Sequence, residues 1–473
     1  MVKKFFFTFI FLAFIGCSPI PKIKTEKIIK PDSIQTNIPN DRTLIFSCKE
    51  WWKIYKDPIL DRLVTFALEE NEDLKIAKLN ISKSDEAIKL ADSALGVSID
   101  SSSDLKRERL GKNGMTPPPF GGKIITIGSL GLQGDYNIDI FNKLHSLADE
   151  QKYRCEAVKL NSDWIELNIT NRVAKLYFYW NYLQQEKKIL LSQKDILTEI
   201  VSFNKKNVQI GNGINSDIWQ SENELRNIDS ALKDNSLNLQ LTLNNLNILT
   251  GNKHNKEIAE LLNGKYSMAD VVLKERISIP STISSDIIIN RPDIKYYIML
   301  IKGQEKHLEA EKTNFYPQFS LTGQIGFEGI TMEKILRRDS LLGFISPSIY
   351  LPIFHSGAIT SKYKMAGEDL NIFIEEYNNA VITALNNIES ELYKTKISCE
   401  NLKTSDVNLS VQTKILKENR ERLTIGSISK LDYLLKELDW NNYKLSNKKE
   451  LFNFSTQQLT LLNSLGGAYN IEK

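Results

Sequence analysis

Residues 319–328 read Phe-Ser-Leu-Thr-Gly-Gln-Ile-Gly-Phe-Glu. Phe319, Leu321, Gly323, Ile325 and Phe327 alternate with Ser320, Thr322, Gln324, Gly326 and Glu328. This is a strict period of two, apolar on one face and small or polar on the other, and it predicts a strand rather than a helix. Three further stretches read alike. In Ile124 to Tyr136, Ile124, Leu130, Leu132 and Tyr136 share a face with Thr126 and glycines, opposite Ser129, Gln133 and Asp135. Val97 to Leu105 and Leu342 to Ile353 complete four. Each has about 9–13 residues, near the 9–11 of a tilted membrane strand. A half-buried sheet in a soluble domain has the same period, so location must be argued from elsewhere in the chain. Four strands cannot enclose a conducting pore, because even eight leave an interior just filled by side chains. Several chains must contribute, and three copies give twelve strands.

Outside these stretches the sequence is helical in character. Pro is scarce, at 13 of 473 residues, and Leu, Lys, Asn and Glu abound. Two runs stand out, Leu144 to about Gln209 and Ala358 to about Thr424. At 1.5 Å per residue each reaches about 100 Å, far more than a globular core requires. Leu190, Ile196, Leu197, Ile200, Val201 and Val208 give an apolar stripe at helical spacing. Each run returns through a second helix, Ile218 to Leu249 or Leu431 to Leu465, which predicts antiparallel coiled-coil pairs.

The N-terminus is a targeting signal. Lys3 and Lys4 precede an apolar run, Phe5 to Ile15, broken only by Thr8, and Gly16-Cys17 follow. A basic start, a short apolar core and a small residue before the cleavage point mark secretion. About 11 apolar residues are too few to span a bilayer, and no later run approaches the roughly 20 needed. A mature chain that crosses a membrane must then do so as a closed barrel. Residues 1–16 are read as the signal peptide. Phe14-Ile15-Gly16-Cys17 resembles a bacterial lipobox, with Phe14 where Leu is usual, which implies acylation of Cys17; Ser18 after it resembles sorting to the outer membrane. One acyl chain gives only marginal anchoring, at about 0.8 kcal/mol per buried CH₂, so the lipid supplements a barrel. Residues 17–50 read as a lipidated tether, extended and without periodicity from Ser18 to about Asn40.

The rest repeats. Ile210-Gly211 with Asp217 recurs as Ile425-Gly426 with Asp432. Leu249-Thr250-Gly251 recurs as Ser464-Leu465-Gly466, and Ile138-Asp139-Ile140-Phe141 as Leu351-Pro352-Ile353-Phe354. Asn71-Glu72-Asp73-Leu74 recurs as Asn290-Arg291-Pro292-Asp293-Ile294 with one residue extra. Offsets of about 213–220 residues in one order indicate a duplicated domain, with copies at 51–285 and 286–473. Each copy opens with a short helix, Ile59 to Ala91 or Asp293 to Lys312.

Composition removes several function classes. The formal net charge is +3, with no basic stripe, so nucleic acid is a poor candidate partner. The four histidines, His145, His254, His307 and His355, show no metal-ligand spacing. Walker-type, G-x-S-x-G and H-E-x-x-H motifs are absent. Cys48, Cys155 and Cys399 are far apart without C-x-x-C spacing, and Cys155 and Cys399 read as helical packing residues. The chain reads as a non-enzyme that needs no cofactor, and the energy for any transport must come from a partner.

An ordered set of motifs resembles the TolC-like outer-membrane efflux family, in its lipoprotein branch of the OprM/NodT type. Trp51-Trp52, Asp57-Pro58, Leu60, Leu63, Ala67-Leu68, Asn71 and Asp73-Leu74 look like the opening helix of that family. Tyr136 to Lys143 resembles its strand-to-helix junction. Arg291-Pro292-Asp293-Ile294 resembles the start of its second repeat, with Phe315-Tyr316-Pro317 and Ser320 to Gly323 downstream. Leu351-Pro352-Ile353-Phe354 with Gly357 resembles the second junction, and Leu465-Gly466-Gly467 the close. The resemblance implies a mainly α fold with a small β part: a long antiparallel coiled-coil α-barrel, with four strands per chain in a trimeric twelve-stranded transmembrane β-barrel. It also implies a homotrimer in outer-membrane lipid, whose tip meets a periplasmic adaptor protein and, through it, an inner-membrane transporter.

The tip maps to the helix turns, with Ile210, Gly211 and Asp217 in one copy and Ile425, Gly426, Ser429 and Asp432 in the other. Asp217, Ser429 and Asp432 have two readings: caps on the returning helices, or adaptor-docking groups and a cation-attracting ring. Phe141, Arg291, Pro292, Asp293, Pro352 and Phe354 mark the strand–helix seams, with Asp293 placed to oppose a helix dipole. The function expected is the passive outer-membrane duct of a tripartite efflux system. The alternative is a periplasmic coiled-coil structural or adaptor lipoprotein without a pore.

Overall fold

The computed structural model describes residues 20–30, 45–46, 50–113, 119–263 and 285–469, so Cys17 and Cys48 lie outside the described residues. In chain order the main elements are β1 (Ile45–Phe46), α1 (Pro58–Glu70), α2 (Glu72–Ser93), β2 (Val97–Arg109), β3 (Ile124–Ile138), α3 (Lys143–Gln209), α4 (Asn215–Leu249), α5 (Asn255–Asn263), α6 (Ser285–Asn290), α7 (Pro292–Lys312), β4 (Gln318–Gly329), β5 (Leu341–Tyr350), α8 (Ala358–Thr424), α9 (Lys430–Ser464) and β6 (Ala468–Tyr469). No helix among the described residues is long and apolar enough to cross a membrane. The chain forms two compact units.

One unit holds Met1–Ile28, Asn80–Lys159 and Tyr296–Tyr377, and with them the sheet. Its order is β2-β3-β4-β5, antiparallel throughout. The register joins Val97 to Tyr136, Tyr136 to Leu321 and Leu321 to Pro347. Cross-strand partners share a face, so Val97, Ile99, Leu105, Leu130, Leu132, Tyr136, Phe319, Leu321, Ile325, Phe327, Ile345 and Ile349 lie on one side. Ser98, Asp100, Gln133, Asp135, Thr322, Gln324, Ser346 and Ser348 lie on the other, where Thr322 donates to Asp135 at 2.7 Å and Ser320 meets Ser348 at 2.7 Å. The apolar face is bare: Ile99 is 70% exposed and Ile345 78%. β2 and β5 are open edges.

In this unit residues 22–26 run along α8. Glu26 N–H donates to Asn371 Oδ1 at 2.9 Å and Asn371 Nδ2 donates to the Lys24 carbonyl at 3.1 Å. A side chain on Gly367 would begin 2.7 Å from Ile23. The stretch has no regular secondary structure and is docked on α8.

The other unit holds Ile29–Leu79, Leu160–Lys295 and Asn378–Lys473. Its core joins Trp51, Leu60, Leu63 and Phe66 to Tyr177, Phe178 and Leu183 on α3, Leu246 on α4, and Phe454 and Leu459 on α9, all buried. Trp51 Nε1 donates to Thr170 Oγ1 at 3.1 Å. Asp57 caps α1, accepting from Ile59 and Leu60, and takes the Tyr177 hydroxyl at 2.8 Å. Burial, then the Asp57 charge, holds the Tyr177 phenol above its ordinary range. The predicted stripe on α3 is core: Leu190, Ile196, Leu197, Ile200 and Val201 are buried, and Ile196, Leu197 and Ile200 pack with Leu434 of α9, beside Leu225 and Ile228 of α4. Buried amides fix the register between helices, with Asn171 donating to Leu459 and Asn235 to Leu183 carbonyls.

The structure departs from the sequence reading in places. The opening helix expected over Ile59 to Ala91 is two helices, α1 and α2, because Asn71 adopts an extended backbone and spends its side chain on other groups. The first strand runs on to Arg109. The fourth ends at Tyr350, so Leu351, Pro352 and Ile353 lie beyond it; Pro352 has no N–H to extend a ladder. Cys155 is buried and Cys399 packs against the core, as expected of packing residues; Cys155 Sγ also meets Asp85 at 3.2 Å.

Candidate functional site

The two helix turns are built alike. α3 ends at Gln209, and Gly211 takes a left-handed φ of 78°. Its N–H reaches the Val208 carbonyl, and the Asn212 N–H reaches Asn207 at 2.8 Å. α8 ends at Thr424, Gly426 has φ 76°, its N–H reaches Leu423 and the Ser427 N–H reaches Arg422 at 2.9 Å. This glycine-closed motif returns the orphan carbonyls of a helix end to donors. A Cβ on either glycine would meet nothing within 4 Å, so conformation rather than space demands glycine. Ile210 and Ile425 stand exposed at these turns, with Ile214 and Trp219 exposed just beyond in the first copy.

The expected caps divide between the copies. Ser429 caps α9: its hydroxyl accepts the Asp432 N–H at 3.0 Å, and Asp432 Oδ2 accepts the Ser429 N–H at 3.3 Å, a reciprocal capping box. Asp217 does not cap. α4 starts after Ile214, which has no side-chain acceptor, and Asp217 contributes its carbonyl, taken by Ser221 at 2.8 Å and Asn204 at 3.1 Å. The carboxylate of Asp217 lies in the first turn of α4, where negative charge favours the helix dipole.

At the seams a different acid serves. Asp139 accepts the Leu144 and His145 N–H groups at 3.1 and 2.9 Å and meets His145 Nδ1 at 2.7 Å, so it closes the start of α3 from the loop before it. Burial pushes its carboxyl up, but the His145 and Leu144 hydrogen bonds outweigh this and leave it below the ordinary range. Phe141 packs on Tyr316, with ring centroids 4.9 Å apart, and on Phe319. Phe354, its counterpart, is 82% exposed, and Pro352 is half-buried.

The second copy opens on Arg291. Its Nε and Nη2 donate to Asp293 at 3.0 and 2.6 Å, and Nη1 donates to the Ser464 carbonyl at the end of α9. The guanidinium also lies 5.3 Å from the Trp164 ring. Pro292 opens α7, where its missing N–H costs nothing. The carboxylate of Asp293 is therefore engaged by Arg291, and Oδ1 also accepts the Ile294 N–H at 3.0 Å. In the first copy Asn71 fills the equivalent place. Its Nδ2 donates to the Leu249 carbonyl, at the end of α4, at 2.9 Å, and Oδ1 accepts from Leu74. Both copies thus tie the head of a helix, α2 or α7, to the last carbonyls of their second hairpin helix, one with an amide and one with a guanidinium.

Sequence reading missed Asp139 as a cap and Asn71 as a tie. Asp139 sits four residues ahead of its helix, outside the usual capping interval, so local spacing gave no signal. The signal for Asn71 was its alignment with Asn290-Arg291. Among the described residues no group of three or more His, Cys, Asp or Glu side chains is placed to hold a metal ion.

The described residues define an open four-stranded antiparallel sheet and two long helix hairpins, each reversed at a glycine turn. Residues 63–252 and 283–469 match the family model described as outer membrane efflux protein, and the chain belongs to that family. It is similar to toxin and drug export protein A of Aggregatibacter actinomycetemcomitans, 21% identical over 459 residues, which cover 97% of this chain and 95% of that one. It is also similar to the solvent efflux pump outer membrane protein SrpC of Pseudomonas putida, 21% identical over 428 residues, 89% of this chain and 88% of the relative. Among solved structures, the Campylobacter jejuni CmeC outer membrane channel superposes with a TM-score of 0.79 at 23% identity over 95% of each chain. This chain and the solved channel share one fold, and membership of the efflux family places the chain in the outer membrane.

Proposed function

We propose that three copies of this chain close a twelve-stranded barrel through the outer membrane and form the passive exit duct of a tripartite efflux system. A periplasmic adaptor joins the duct to the inner-membrane transporter that supplies the energy. The observation that carries this reading is the open four-stranded sheet, with unpaired edges at β2 and β5 and a bare apolar face. Such edges are liabilities unless joined to other strands, and such a face is stable against lipid. The polar face, with Asp100, Gln133, Asp135, Thr322 and Gln324, lines the lumen.

The finer points belong to the same reading. The chain is of the lipoprotein branch: Cys17, freed by cleavage after residue 16, carries the lipid, and residues 17–50 lead from it to the first copy. The copies span 51–285 and 286–473, and their helix hairpins extend into the periplasm. The adaptor docks at the turns, against Ile210, Gly211, Asp217, Ile425, Gly426, Ser429 and Asp432. Asp217 has no capping role in the way of it. Phe141, Arg291, Pro292, Asp293, Pro352 and Phe354 hold the seams.

The test is crosslinking in cells from a photoreactive group at Ile210 or Ile425. The expected product joins this chain to a periplasmic adaptor encoded with an inner-membrane transporter. Adducts only to the peptidoglycan layer or to unrelated proteins, at both positions, would overturn the docking assignment.

A further inference from the structure

We propose that Arg107 and Arg109 form a binding site for phosphorylated lipid headgroups of the outer leaflet, an inference that rests on the barrel reading above. The argument starts from how charge is sorted across the sheet. All five of its carboxylates, Asp100, Asp104, Glu108, Asp135 and Glu328, lie on the polar face, with Lys106 among them paired to Glu108 at 2.8 Å. The only two charges on the apolar face are Arg107 and Arg109, cross-strand from Thr126 and Ile124. Both are exposed, and neither makes an ion pair or side-chain hydrogen bond among the described residues.

Their height matters as much as their face. The helices leave the sheet at Val97, Ile138, Gln318 and Tyr350, so the Arg109–Ile124 end is the far, outer end. From Val97 to Leu105 the face is about 27 Å of strand, or about 20 Å along the membrane normal at the usual barrel tilt. Arg107 then stands about 5 Å and Arg109 about 10 Å beyond Leu105, at headgroup level. The opposite rim of the same face carries Tyr136 and Phe319, aromatic as barrel rims commonly are. An arginine fork fits phosphate oxygens two at a time, which a water-facing lysine does not require. An unpaired arginine pair with no acid on its own face is complementary to a phosphomonoester in the plane of the membrane.

The experiment uses the full-length assembly in nanodiscs of phosphatidylcholine doped with lipid A, or with lipid A stripped of its phosphates. Lipid retained after release from the disc is counted by native mass spectrometry. The wild type is expected to retain the phosphorylated lipid in preference to the stripped one. Arg107→Gln with Arg109→Gln should lower that retention about tenfold, the loss expected for two solvent-exposed charge pairs. Arg107→Lys with Arg109→Lys should retain part of it, and Lys106→Gln, on the lumen face, all of it. Equal retention of both lipids by the wild type, or equal losses from Lys106→Gln and the double Gln variant, would overturn the site. Arg109→Gln alone, farthest from the apolar band, serves if the double variant does not assemble. Ion current measured on the same wild-type preparation separates the two claims: current without lipid preference refutes the site only, and absence of current refutes the channel.

Discussion

Arg291 passes directly over Gly466: a Cβ at that glycine would lie 2.8 Å from Arg291 Cγ, and the glycine itself has a left-handed φ of 68°. The close approach lets one guanidinium grip Asp293 and still reach the last turn of α9. Its side chain is 6% exposed. Removing one partner of a buried, hydrogen-bonded pair leaves the other uncompensated, so Arg291→Ala should cost about 3–5 kcal/mol. Arg291→Lys should recover little, because an ammonium cannot make the fork. Thermal unfolding of the detergent-solubilised protein reads both; a lysine variant as stable as the wild type would remove the fork from the account.

The glycines separate conformation from space. Gly211→Ala and Gly426→Ala add a methyl to open surroundings, so each should cost only the left-handed strain, about 1–2 kcal/mol. Gly251 has φ 67°, and its Cβ would sit 2.3 Å from the Glu70 carbonyl oxygen. Gly251→Ala should therefore cost clearly more than either turn variant. Equal denaturation midpoints for Gly251→Ala and Gly211→Ala would contradict this.

The capping asymmetry gives a paired test. Ser429→Ala removes a reciprocal cap and should cost about 1 kcal/mol. Asp217→Asn removes no hydrogen bond that its carboxylate makes to a helix end and should stay within about 0.5 kcal/mol. Hydrogen exchange over the first turns of α9 and α4 locates each effect. If Asp217→Asn alters adaptor binding or cation flow while leaving stability unchanged, its role is functional.

A buried acid sets a pH window. Glu150 of α3 accepts from Arg154 at 2.7 Å and meets His307 of α7 at 2.9 Å. Hydrogen bonding to Glu150 outweighs burial and holds His307 above its ordinary value, with Glu311 adding to the rise and Arg154 opposing it. Burial raises Glu150, but His307 and Arg154 together hold it below the usual range. The histidine's contribution is full below its unfolded value, about 6.5, and is lost as pH rises through the raised folded value. The contribution of Glu150 is present above its unfolded value, about 4.3, and is lost as pH falls through the lowered one. Melting temperature should thus decline on the alkaline side in the wild type and lose that decline in His307→Gln. An unchanged alkaline limb in the variant would exclude His307 as its source.

Much of this was legible because long-range order here is written in local periods. Period two in Phe319 to Glu328 gave β4 nearly to the residue, and the stripe from Leu190 to Val201 gave the buried face of α3. Gly211 and Gly426 were legible because only one backbone conformation reverses a helix so tightly. The break at Asn71 was not legible: the apolar spacing runs through it, and a tertiary partner, the Leu249 carbonyl, decides the local backbone. Asp217 and Asp432 align in sequence, yet only Asp432 takes part in a cap, since Ile214 occupies the place of Ser429 in the first copy. The arginines of β2 escaped notice because Leu105 ended the recognised strand; the observed strand continues to Arg109, and only then does their face become apparent.

The central claim is that open sheets from sister chains join into one pore, and electrical recording of the purified protein in a planar lipid bilayer tests it most directly. Discrete, stepwise ion currents from an assembly three chains in mass are expected. A monomer that passes no current under any voltage or salt condition would contradict the account.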